Sequence, residues 1–132
     1  MNNLAITLRA AQFYAHAAHN TTSGMTFHED HEFFGELYGA YESAYDSVIE
    51  RMIGLGVSVD INEITLEAAN DIQGYEHGDP EKCYDELMDY EKKICKMVDT
   101  YNKGASLGTQ NFLQGLADES EMRQYKIGQR LK

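Results

Sequence analysis

The sequence holds one proline in 132 residues, two cysteines and no tryptophan. A lone proline, Pro80, favours an all-helical chain. Strict apolar–polar alternation is nearly absent: Val57 to Ile61 is the best strand candidate, and it is short. Cys83 and Cys95 lie twelve residues apart in an apparent helix, about 18 Å along its axis. That is far beyond disulfide reach, so both are expected to be reduced thiols of a cytoplasmic protein. No run of about 18 apolar residues is present, so no membrane-spanning helix is expected. The start, MNNLAITLRAAQ, lacks a basic segment followed by an unbroken apolar one, so no secretory signal is expected. Positive charge is scarce too: 11 Lys and Arg face 22 Asp and Glu, a net charge of -11. This balance argues against gripping nucleic acid or anionic membrane through bulk charge. It suits the collection of cations.

What is present is helical. The length fits a single domain, residues 1–132. Four long helices and one short one are expected. The first runs from Asn3 to His19 on an apolar stripe of Leu4, Leu8, Ala11, Ala15 and Ala18. The second runs from Phe27 to Leu55, with Phe34, Leu37, Tyr41, Tyr45, Val48 and Met52 at three- and four-residue spacing. A short helix covers Asn62 to Asp71. The third long helix starts at Pro80, with Asp79 as its N-cap, and runs to Tyr101. The last covers Thr109 to Leu131. Short links after the first and third helices make two antiparallel hairpins, and the long stretch from Gly56 to Asp79 is a crossover. Two hairpins joined by a long crossover form an all-α four-helix bundle of the ferritin-like type, with a short extra helix in the crossover.

Four of the five histidines lie between residues 16 and 31. His19 closes the first helix and His31 sits one turn into the second, so the hairpin brings them together. Paired imidazoles near carboxylates suit iron, zinc or another divalent metal. Asp46 and Glu50 are four apart on one face of the second helix. His31 and Asp46 are about 22 Å apart along that helix, so they cannot share a metal within one chain. Two copies of the second helix packed antiparallel about a two-fold axis would bring them together and make two such sites. Gly35, Gly39 and Ser43 give that helix a stripe of small residues for close approach. No histidine has a glutamate three residues before it, which disfavours a metal site inside one bundle.

The stretch HNTTSGMTFHEDHEFFGELYGAYESAYDSVIERMIGLG resembles the signature region of the Dps family, the mini-ferritins. His19, Gly24, Phe27 and His31 fall at that family's spacing. So do Asp46, Glu50, Arg51 and Leu55-Gly56, and the match covers residues 4 to 56. The resemblance implies an iron-oxidising site shared across a dimer, with His19 and His31 from one chain and Asp46 and Glu50 from the other. It also implies a twelve-subunit shell that stores iron and protects against oxidative stress, with no catalytic residue beyond the metal ligands.

The sequence departs from this pattern at three places. Gly35 stands where the family usually has an aspartate ligand. Glu42, on the same face as Asp46, is one substitute, and Glu32 and Glu36 are adjacent but rotated around the helix. Asn20 stands where tryptophan often follows the first histidine, leaving tyrosines such as Tyr14 as candidate radical sinks. No lysine-rich arm of the kind that binds DNA is present, so DNA is not an expected partner. His16 and His28 are expected near the site in supporting roles. The competing expectation, carried by Gly35, is a non-catalytic metal-binding or structural relative.

Overall fold

A computed structural model describes residues 1–132. It is all-helical, with no strand: α1 (Asn2–Thr21), α2 (Phe27–Gly54), α3 (Ile61–Asp71), α4 (Pro80–Asn102) and α5 (Leu107–Arg130). Local chemistry sets most of the boundaries. Asp60 caps α3 by accepting from the Glu63 N–H at 3.0 Å, and Asp79 caps α4 by accepting from Glu81 N–H at 3.1 Å, with Pro80 in the first turn. Ser106 caps α5 through the Thr109 N–H. Gly56, just past α2, and Gly104, just past α4, take positive φ of 82° and 75°, which ends each helix without Cβ strain. Val57 to Ile61, the one strand candidate, is instead a connector that runs into α3. A lone strand has no neighbour to take its hydrogen bonds.

α1 and α2 form one hairpin, and α4 and α5 the other. α1 also packs on α4, and α3 lies against α1 through Ile64 and Ala68. α2 and α5 touch less than these pairs do. The expected stripe of α1 is fully buried, as are Phe34, Tyr41 and Val48 of α2 and Tyr84, Leu87 and Ile94 of α4. Both cysteines lie on α4 and are unpaired. No helix is long and apolar enough to cross a membrane.

Two carboxylates are sealed inside this core. Glu91 is 0% exposed and accepts four hydrogen bonds. Its Oε2 takes Tyr41 O–H at 2.7 Å and Arg123 Nε at 2.6 Å. Its Oε1 takes Ser120 O–H at 2.8 Å and Arg123 Nη2 at 3.1 Å. Asp30 repeats the arrangement at the end of the bundle. Its Oδ1 takes Tyr84 O–H at 2.8 Å and Arg130 Nε at 2.9 Å, and its Oδ2 takes Thr26 O–H at 2.6 Å and Arg130 Nη2 at 3.0 Å. In each group the guanidinium also lies over the tyrosine ring, at 5.1 Å for Arg123 on Tyr41 and 5.2 Å for Arg130 on Tyr84. The two groups exchange roles between α2 and α4: one supplies the tyrosine where the other supplies the carboxylate.

Asp30 ties the fold to pH. Burial pushes its carboxyl upward, but hydrogen bonds from Arg130, Thr26 and Tyr84, with the Arg130 charge, outweigh this and hold it below the ordinary value. A carboxyl depressed by folding adds stability above its unfolded value of about 3.9, and that stability is lost as pH falls through the folded value. Asp30→Asn is therefore expected to lower Tm at pH 7. The gap from the parent should close as pH drops below about 4. A gap of constant size in calorimetry across that range would contradict this assignment.

Candidate metal centre

The α1–α2 turn places His19 in the last turn of α1 and His31 in the second turn of α2. Their rings stack, with centroids 3.8 Å apart and planes 19° from parallel. Each ring bonds the other residue's backbone. His19 Nδ1 lies 2.7 Å from the His31 carbonyl, and His31 Nδ1 lies 2.8 Å from the His19 carbonyl. A carbonyl oxygen only accepts, so both Nδ1 atoms carry hydrogen. In the neutral rings both Nε2 atoms therefore keep a lone pair for a metal. The bond from His31 also satisfies a carbonyl in the last turn of α1, where the helix itself has no donor left.

Gly35 lies directly beside this pair. A Cβ built there would come within 3.3 Å of both Cε1 and Nδ1 of His19. A side chain there would require the ring to give by a few tenths of an ångström, so the glycine lets the imidazole pack close against α2.

The other candidates are spread along the same helix. Asp46 and Glu50 are exposed and take part in no ion pair or side-chain hydrogen bond. They lie about 22 to 28 Å along α2 from His31. Within one chain, no three His, Cys, Asp or Glu side chains are grouped to hold a metal ion. Glu42 is engaged elsewhere: its Oε2 accepts from Gln12 Nε2 at 3.0 Å, and Gln12 in turn accepts from Arg9 at 2.6 Å. Glu32 and Glu36 face outward and line a surface groove with Glu29, Phe33 and Lys126. His28 is exposed, edge-on to Phe27 at 5.4 Å.

His16 is also exposed and stacks on Tyr38 at 4.3 Å, and Tyr38 stands edge-on to His19 at 5.3 Å. Tyr38, not Tyr14, is thus the tyrosine against the histidine pair. Tyr14 is fully buried on another face of α1. It packs on Tyr75, His77 and Tyr90, and its hydroxyl donates to the Glu76 carbonyl at 3.0 Å. Helix geometry explains the difference, because five residues turn the chain by about 140°.

The bundle interior offers no alternative centre. Glu91 is its most buried carboxylate, and all four of its acceptor positions are filled, two of them by Arg123. Neither Glu91 nor Asp30 was singled out from the sequence, although both stand in core-facing positions of their helices. Of the four basic residues in the last ten positions, Arg123, Lys126, Arg130 and Lys132, two are held in these internal pairs: Arg123 and Arg130.

The sequence matches the family described as Ferritin-like domain over residues 2–132. No curated protein and no solved structure matches it.

Proposed function

The chain belongs to the ferritin-like domain family, and from that premise we propose that it binds and oxidises ferrous iron between two copies of itself. Members of this family commonly bind iron. The observation that carries the finer reading is the reciprocally bonded His19–His31 pair, which leaves two Nε2 lone pairs unengaged and has no group of carboxylates of its own. Asp46 and Glu50 of a second copy, unengaged in their own chain, supply hard oxygen ligands. The face of α2 between the two sets is open. A Cβ at Gly39 would meet nothing within 4 Å, so a second helix can come close there.

Iron is the substrate. Two ferrous ions give up one electron each. One peroxide takes both, with two protons, and leaves as two waters; dioxygen is the other candidate acceptor. Ferric product is then stored, and a shell of twelve copies is the assembly we propose for that. The imidazoles and carboxylates hold and tune the ion. DNA is outside this reading, given the net charge of -11 and the internal use of Arg123 and Arg130.

A second reading is favoured by Gly35. With glycine at position 35 and the His19 ring packed beside it, the centre has one carboxylate fewer, and it holds iron, zinc or another divalent ion without turnover. Absorbance on aeration of ferrous iron separates the two. The first reading expects the parent to outpace buffer, and Asp46→Ala with Glu50→Ala to slow oxidation at least about tenfold. A double variant as fast as the parent would overturn it. A parent that binds iron but does not outpace buffer would support the second reading.

A further inference from the structure

We infer that Met25 of each chain seats on an apolar shelf of Ile53, Leu55 and Val57 in a second copy, and that these contacts fix the register of an antiparallel pair. The inference rests on the reading of the metal centre as shared between chains. Met25, in the turn before α2, is fully exposed, and Ile53, Leu55 and Val57 at its far end are all exposed large apolar residues. A fully exposed methionine before one end of the helix and three exposed apolar side chains at and just past the other are more than the scattered exposure normal for a surface.

The chemistry along this helix reads in complementary order. Apolar Met25 comes first, then His28 and His31, then Gly35, Gly39 and Ser43, then Asp46 and Glu50, then the apolar shelf, with the exposed acids Glu29, Glu32, Glu36 and Glu42 interspersed. His31, Gly35, Glu42, Asp46 and Ile53 lie within about 60° of one another around α2. Laid antiparallel on itself, the stripe puts imidazole near carboxylate, Gly39 against Ala40 at the axis, and apolar end against apolar end. Such self-complementarity is what a two-fold contact requires.

Register follows from the ligands. Placing His31 opposite Val48, midway between Asp46 and Glu50, sets the axis between Gly39 and Ala40. Met25 then falls opposite Gly54, flanked by Ile53 and Leu55. A Cβ at Gly54 would meet nothing within 4 Å, so the glycine leaves room for the methionine between its two neighbours.

The test uses the full chain without metal. Met25→Glu should leave helicity near the parent's, and Tm too at concentrations where both are monomeric, because the side chain is fully exposed in its own chain. It should raise the dissociation constant of the pair at least tenfold by light scattering. Adding Ile53→Lys should restore much of the pairing. Chains carrying Met25→Cys, mixed with chains carrying Ile53→Cys and oxidised, should form a 25–53 disulfide that a Leu107→Cys partner does not. If copies pair and oxidise iron, yet Met25→Glu is silent and no 25–53 link forms, the clamp is wrong and the metal reading survives. If the link forms but ferrous iron is not bound, the metal reading fails and the clamp stands. A chain that stays monomeric at every concentration overturns both.

Discussion

Glu91→Leu is expected to destabilise the protein by roughly 3–5 kcal/mol, a large share of the 5–15 kcal/mol that holds a typical domain together. The size follows from what the change leaves behind. Arg123 keeps a buried charge with no counter-ion, and the hydroxyls of Tyr41 and Ser120 lose the acceptor they share. Burial of the guanidinium opposes its charge, and in the parent the hydrogen bonds it donates to Glu91 outweigh this; without Glu91 only the burial remains, and an arginine does not escape it by losing a proton. Removing both partners is a different matter. Glu91→Leu with Arg123→Met takes away the charge and its need for a partner together, and should recover most of the loss. Denaturant unfolding followed by circular dichroism measures all three chains. A single variant within about 1 kcal/mol of the parent would show that the buried pair is not engaged as described.

The hairpin geometry of the candidate centre was legible in the sequence, because it needs only helix periodicity and a short link. His19 at the end of one helix and His31 near the start of the next must meet if the two run antiparallel. Asp46 and Glu50 must share a face. The internal carboxylates were not legible in the same way, because a charged residue is ordinarily assigned to the surface. Their one signal is position. Asp30 leads the run Phe34, Leu37 and Tyr41. Glu91 fills the slot between Leu87 and Ile94, and Ser120 and Arg123 fill those between Leu116 and Ile127.

For the same reason Arg123 and Arg130 were not legible as core partners, although each is spent on a carboxylate far away in sequence. Gly35 was legible as a departure from the pattern the sequence resembles. Its other role, letting the His19 ring pack close, depends on a contact across the hairpin that spacing along one helix does not reveal. Glu42 shows the opposite case. It stands on the expected face, but Gln12 of α1 has already engaged it.

The central claim is that the centre is built from two chains, and mixed pairs test it most directly. One variant carries His19→Gln and His31→Gln, which removes the imidazoles but keeps an N–H donor on each side chain. The other carries Asp46→Ala and Glu50→Ala. Each alone should oxidise ferrous iron at least about tenfold more slowly than the parent. In a hybrid pair, one site joins the intact histidines of one chain to the intact carboxylates of the other, and the second site lacks both sets. Random re-association of equal amounts should therefore restore about one quarter of the parental sites. Recovery near that level, in a sample whose mass shows mixed pairs, is the predicted result. Mixed pairs with no recovery would contradict a shared centre.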